Sequence, residues 1–395
     1  MATLTTVTVK SAGGTYLTLD AAFAGEAADI TAATGSDEII RIDCYPFEDT
    51  KDCIIDDTAW VTSPTNYVEL RFVDGAGVPL YVGAWSTSAY RLVATSEVFE
   101  NNQVDHLWHT EGTFQIMDNQ GTGTSTFGIM KCSAASSGWN RFDGGGILIA
   151  DHNSGTAVRG FKIDSGADCR WRNWIGYGGN NEGVFSPAID VPAGSAGPTL
   201  TFENCTFDDW SEVEFVADAG TTLILTNCRA TGIPGDLATA GQPDRMDPTS
   251  DFNITDAETA NEANWGTNSL NSSDTPTIDY VDDTNADLTL RDYRLNSASD
   301  SGYQAGTDLS GSFTVDIEDT TRTTPWDMGA HEASVSADVI VAASTHALTL
   351  TEQAATINAA INVQASTDAL IVSELVATVN AASSLTGSSF VFTSP

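Results

Sequence analysis

Leu200-Thr201-Phe202-Glu203-Asn204-Cys205-Thr206-Phe207 is echoed by Leu223-Ile224-Leu225-Thr226-Asn227-Cys228-Arg229-Ala230, at an offset of 23 residues. One winding of a parallel β-helix takes about that many residues, so the offset places Asn204 over Asn227 and Cys205 over Cys228 in adjacent windings. Stacked Asn side chains can bond as a ladder at a turn, and stacked Cys fill an interior. The surrounding chain, from about 95 to 235, reads as short strands divided by Gly, Asn, Asp and Ser turns. Phe114-Gln115-Ile116-Met117, Gly146-Ile147-Leu148-Ile149-Ala150 and Phe161-Lys162-Ile163 are examples. A sandwich with strands every 8 to 12 residues or so is the structural alternative.

The chain has 395 residues, with 16 basic and 54 acidic side chains and a formal charge of −38. No basic block interrupts that surface, which argues against nucleic acid and against anionic membranes as partners. Such a surface does offer oxygen ligands to hard cations such as calcium, although no cofactor or metal site is expected. No run approaches the roughly 18 apolar residues of a membrane helix. Met1 to Val7 shows neither a positive n-region nor an apolar h-region, so the expectation is a protein that leaves the cell without a cleaved signal, as in lysis. The six cysteines lack any CxxC pair and read as small buried hydrophobes, with a Cys44–Cys53 pairing left open.

Four parts are expected: a cap and first windings over 1–95, a body with a loop-rich end over 96–287, a closing module over 288–335, and a repeat module over 336–395. In the last part residues 338–359 and 360–381 form a tandem 22-residue repeat with eleven identities, ten of them Ala, Ser, Thr, Asn, Leu or Val and one the pair Glu352/Glu374. Its short stretches alternate apolar and small polar residues, as half-buried strands do, and a helical reading of 351–360 competes.

Resemblances support this division. Thr6-Val7-Thr8-Val9-Lys10, the turn at Gly13-Gly14, the helical spacing of Leu17 to Gly25 and Glu38-Ile39-Ile40-Arg41-Ile42 resemble the opening of pectin-lyase-like proteins, where an amphipathic helix covers the first winding. Leu290-Arg291-Asp292-Tyr293-Arg294-Leu295, Asp316-Ile317-Glu318-Asp319 and Trp326-Asp327-Met328-Gly329-Ala330-His331-Glu332 resemble the closing module called choice-of-anchor Q, found in bacterial and phage β-helix proteins. Ser299-Asp300-Ser301-Gly302-Tyr303 and Glu318-Asp319 depart from its usual pattern. The resemblance implies a structural module in which Arg322 pairs with Asp316 or Asp327 and Trp326 covers the final winding. The tail repeat is similar to repeats near the C-termini of phage and marine-virus structural proteins.

Three local clusters carry chemistry. His106 and His109 flank Leu107 and Trp108, but in a strand the two His point to opposite faces, so ligation is not expected and Trp108 is expected to pack inward. Asp208, Asp209 and Glu212 surround Trp210; were the protein an enzyme, these carboxylates would carry glycoside hydrolysis, which needs two carboxyls roughly 5 to 9.5 Å apart. Arg170-Trp171-Arg172-Asn173-Trp174 with Tyr177 is the expected binding surface for a glycan or a protein, alternation placing Arg170, Arg172 and Trp174 on one face.

The expectation is therefore all-β: a right-handed parallel β-helix with an N-terminal cap and a small β-rich repeat module. The expected function is non-enzymatic, that of a virion structural protein of a phage or phage-like particle. Its partners would be other virion proteins, further copies of itself as a trimer or lattice, and a host-surface glycan. A polysaccharide-cleaving tailspike and a bacterial surface adhesin are the alternatives.

Overall fold

The computed structural model describes residues 2–95, 98–119, 128–133, 138–151, 158–164, 166, 168–178, 187–192, 197–216, 220–232, 246–256, 265–333, 370–372 and 390–392. Of these, 212, 214–216, 370–372 and 390–392 are described by backbone alone. The chain divides into one unit over 1–333 and a second over 334–395.

In the first unit β1 (Thr3–Val9) is followed by α1 (Leu19–Glu26), and then the strands come in threes. The first winding holds β2 (Glu38–Cys44), β3 (Glu48–Asp49) and β4 (Cys53–Ile55), and the second β5 (Val68–Phe72), β6 (Arg91–Ala94) and β7 (Phe99–Asn101). The third has β8 (His106–Glu111), β9 (Phe114–Asp118) and β10 (Gly128–Cys132), and the fourth β11 (Trp139–Phe142), β12 (Gly146–Ala150) and β13 (Arg159–Ile163). The fifth has β14 (Asp168–Arg172), β15 (Trp174–Tyr177) and β16 (Pro187–Val191), and the sixth β17 (Thr199–Glu203), β18 (Thr206–Asp208) and β19 (Glu212–Val216). β20 (Thr222–Thr226), β21 (Arg229–Thr231) and β22 (Ile254–Thr255) end the series.

Each sheet takes one strand from each of the six windings β2–β4 to β17–β19, and β20, β21 and β22 extend the first two sheets. The first runs β1-β2-β5-β8-β11-β14-β17-β20, the second β3-β6-β9-β12-β15-β18-β21-β22, and the third β4-β7-β10-β13-β16-β19. Within the three sheets all pairs are parallel. The chain is thus nearly all β with long parallel sheets, consistent with an all-β solenoid.

The interior is built by parity. In β17 and β20 every second residue is buried, so Leu200, Phe202, Leu223 and Leu225 face in while Thr201 and Glu203 face solvent. Register then stacks like on like. Phe142, Trp171 and Phe202 are partners across β11, β14 and β17, with ring centroids 5.7 and 4.6 Å apart and planes within 11°. Cys205 and Cys228 are buried as expected, and all six cysteines, Cys44 and Cys53 included, are free.

The corner between the first and second sheets needs a left-handed residue, because the chain turns there within one or two positions. Asn173, Asn204 and Asn227 occupy it with φ of 57°, 55° and 55°, a region asparagine tolerates better than most residues. The carboxamides of Asn204 and Asn227 stand 3.3 Å apart, as the 23-residue echo predicts.

At the N-terminal end, α1 is capped by Thr18, whose hydroxyl accepts from the Ala21 N–H at 3.1 Å. Its buried face of Leu19, Ala22 and Phe23 packs on the first windings, with Phe23 edge-on to Trp60 and Phe99. At the other end, Trp265 lies buried in the main core and accepts from the Asn253 amide through its carbonyl.

Trp326 does not perform that covering role. Residues 278–333, including the antiparallel pair β23 (Tyr280–Asp282) and β24 (Asp292–Leu295), form a strap along the outer face of the second sheet. Ile147, Ile149, Ile175 and Tyr177 point outward from that sheet and are buried beneath Tyr293, Leu295 and Ile317 of the strap. A sheet buried on both faces explains why β12 reads as an unbroken apolar run. Corner asparagines anchor the strap: Asn227 exchanges two hydrogen bonds with the Thr307 backbone at 2.9 and 2.8 Å, and Asn173 donates to the Val315 carbonyl at 2.9 Å. Arg322 pairs with Glu332, and not with Asp316 or Asp327, and donates to the Gly329 and Ala330 carbonyls. Trp326 packs edge-on to Phe313.

In the second unit β25 (Leu370–Val372) and β26 (Phe390–Phe392) pair in parallel. β25 falls on an expected strand of the second repeat copy; the other repeat strands lie outside the described residues.

Candidate functional site

The strand parity that builds the core also decides which chemistry reaches solvent. Trp171 faces in, as alternation requires. Trp174 also faces in, because left-handed Asn173 resets the phase between β14 and β15. Its indole N–H donates to the Phe142 carbonyl at 3.1 Å. Tyr177 faces out from the second sheet but lies under the strap, stacked on Tyr293 at 4.6 Å. The expected aromatic binding face over 170–177 is corrected accordingly: all three rings are buried. Arg170 and Arg172 do reach the outer face of the first sheet, where Arg170 is bidentate to Asp143 and Arg172 pairs with Glu203.

The carboxylates of the enzyme reading are also held. Asp208 sits on the covered face of the second sheet, accepting from Thr231 at 2.7 Å, Tyr293 at 2.5 Å and Arg291 at 3.2 Å. Burial pushes its carboxyl up to about 7. Asp209 takes the next corner with φ 57° and accepts from the same Arg291 nitrogen at 2.6 Å. Glu212 begins β19, and its side chain lies outside the described residues.

What the first sheet leaves open is a group of rings and one cation. Register aligns Trp108 with Arg141, and Trp139 with His106. Trp108 thus faces outward beside His106 in parity, contrary to the inward packing expected, while Leu107 and His109 face the core. His109 is buried against Phe72, and burial holds it down at about 4. His106 accepts or donates at Thr62, 3.1 Å away, and its imidazole is lowered by burial.

Tyr67, Trp108 and Trp139 are half-buried, with ring centroids 5.5 to 6.1 Å apart. The Arg141 guanidinium lies over Trp139 at 4.3 Å and near Trp108 at 5.8 Å. Among the described arginines, Arg141 is the one without a carboxylate within 4 Å. Its own burial, and after it the neighbouring Arg170, lower its proton affinity. Beside Trp108 a cleft of ≈ 310 Å³ runs toward the strap, lined by Thr110, Asp143, Arg172 and Phe313 among others. Asp143 accepts from the Trp108 indole at 2.9 Å, which fixes that ring.

Flat rings beside an Arg and an Asp can stack on the apolar face of a sugar while the charged groups take its hydroxyls or a carboxylate. Trp139 and Arg141 escaped the sequence reading although Trp139-Asn140-Arg141-Phe142 alternates; their partners arrive from windings of unequal length. No family model, curated protein or solved structure matches this chain.

Proposed function

We propose that the chain is a right-handed parallel β-helix serving as a non-enzymatic structural protein of a phage or phage-like particle, a fibre, spike or surface decoration protein that acts by attachment. Its partners are other virion proteins and further copies of itself, with a host-surface glycan held on the outer face of the first sheet. One contrast carries the binding part of this reading. Tyr67, Trp108, Trp139 and Arg141 are half-buried and keep part of their surface in solvent, while Asp208 and Asp209, which a depolymerase would use, are tied to Arg291. The virion part is supported by the resemblance of the tail repeat to repeats in phage and marine-virus structural proteins, and of the strap sequence to a closing module of bacterial and phage β-helix proteins. The parallel stacking in threes supports the β-helix.

Two measurements test it. Purified particles of the virus that encodes the chain should contain it at fixed copy number by mass spectrometry, and its absence there would overturn the virion reading. The purified protein should bind host surface polysaccharide without releasing reducing ends or unsaturated sugars, and release of either would favour the tailspike enzyme instead.

A further inference from the structure

Where the strap turns back on itself, Asp316, Glu318 and His331 each present one ligand atom within 4.8 Å of the others. The local chain builds this cluster. Asp316 Oδ1 accepts from the N–H groups of Glu318 and Thr320 at 2.9 and 2.8 Å, closing the 316–320 turn. Its Oδ2 accepts from the Glu332 N–H at 2.8 Å, which fixes the neighbouring His331 against the same turn. One such bond leaves that oxygen a lone pair to give.

His331 supplies an independent observation. It is 2 % exposed, and neither ring nitrogen has a hydrogen-bond partner. A neutral imidazole carries one donor and one acceptor, and leaving a buried polar group unsatisfied costs about 1 to 3 kcal/mol. Its Nδ1 lies 3.6 Å from Glu318 Oε2. That is too long for a hydrogen bond, yet close to the separation of two donors that share one ion at about 2.0 to 2.1 Å each. The Glu318 side chain is 35 % exposed, which provides an entry path. Gly83 backs the cluster, since a Cβ there would meet His331 Cε1 at 2.4 Å and Glu318 Cδ at 2.5 Å. The nearby Arg294 is engaged by Asp292 through two oxygens.

We propose that Asp316, Glu318 and His331 form a site for one divalent transition ion of the zinc class. An imidazole with two carboxylates suits zinc, cobalt or nickel, whereas calcium and magnesium take oxygen ligands. Three protein ligands leave a fourth position for water on the exposed side. The bound ion joins the 316–320 turn to the end of the strap, so it staples the strap closed upon itself.

Chelator-treated full-length protein, titrated with Co²⁺ and followed by visible absorption, tests the site. One equivalent should bind with bands of nitrogen and oxygen ligation and be displaced by Zn²⁺. Glu318→Gln and His331→Gln should each weaken binding at least about tenfold. Glu318 is partly exposed, so Glu318→Gln keeps the fold and decides the matter if His331→Gln does not fold. Absence of saturable binding, or equal affinity in Glu318→Gln, overturns the site and leaves His331 and Glu318 as neighbours that share no ligand. Thiolate-to-cobalt bands would place the ion on a buried cysteine and overturn it as well.

Discussion

Arg229 donates from its two terminal nitrogens to the two oxygens of Asp300, at 2.7 and 2.8 Å, with both side chains almost wholly out of water. Arg229 projects from β21 on the covered face of the second sheet, and Asp300 belongs to the strap, so one pair fastens a winding to its cover. Tyr280 adds a bond to the same guanidinium at 3.1 Å. Removing one partner leaves the other charge buried and uncompensated. Asp300→Ala should therefore destabilise the first unit by about 3 to 5 kcal/mol in urea unfolding. Replacing both residues with apolar ones of similar volume should cost less than either single change. A double variant as unstable as the sum of the singles would show that the pair has no coupling.

The pH dependence follows from three carboxyls that burial raises: Asp208 to about 7, Asp190 and Asp327 to about 6. In each case the folded chain keeps a proton that the unfolded chain, titrating near 4, has lost. Stability is therefore highest below about pH 4 for these groups and falls as pH rises through about 6 to 7. Relief of repulsion in a chain of charge −38 acts in the same direction. The urea midpoint should be lower at pH 8 than at pH 5, and Asp208→Asn should flatten the upper part of that slope. A midpoint that rises across this range would contradict the assignment.

Two tryptophans with opposite parity should separate stability from binding. Trp171, stacked between Phe142 and Phe202, should cost about 3 to 5 kcal/mol when replaced by Ala. Trp108→Ala on the open face should change stability by about 1 kcal/mol or less, yet weaken binding of host polysaccharide about tenfold or more. Equal saccharide affinity in wild type and Trp108→Ala would remove the open face from the mechanism.

The corner of the windings allows a cleaner dissection. Asn227→Ala keeps a β-carbon at a φ of 55° without the side-chain amide that lets asparagine tolerate that region, and it removes both bonds to Thr307. Asn227→Gly removes the same bonds but also the β-carbon, which relieves the strain of the left-handed backbone. Thermal unfolding should rank wild type above Asn227→Gly above Asn227→Ala, and a reversed order of the two variants would mean that backbone strain contributes nothing there.

Truncation after Ala333 follows the boundary between the two units. The shortened chain should keep the circular dichroism and melting temperature of the first unit while losing the oligomeric state of the full chain by light scattering. An unchanged oligomer would assign assembly to residues 1–333.

Local periodicity made part of this legible. The echo at 23 residues fixed the stacking of Asn204 on Asn227 and the burial of Cys205 and Cys228, because that winding carries no insertion. Parity placed His106 and His109 on opposite faces. Other windings are longer: Arg41 reaches Glu69 after 28 residues and Arg172 reaches Glu203 after 31. No fixed period therefore aligned Tyr67, Trp108 and Trp139 in advance. In the alternation of residues 170–174 Asn173 looks like one more strand residue, although its left-handed corner turns Trp174 inward. Sequence alone puts the strap at the end of the stack because composition reports that a segment is apolar, not which surface it covers.

That lateral strap also sets an order of events. Thr113 and Ile317, which meet through a hydroxyl and a carbonyl, are separated by 204 residues, and Asn173 and Arg322 by 149. As the chain leaves the ribosome, each winding can close on the one before it, but the outer surface of β12 and β15 stays bare until residues near 330 emerge. During that interval Ile147, Ile149 and Ile175 form a wet apolar stripe on an otherwise finished scaffold, the stretch of synthesis in which this protein is most open to aggregation and most in need of a chaperone.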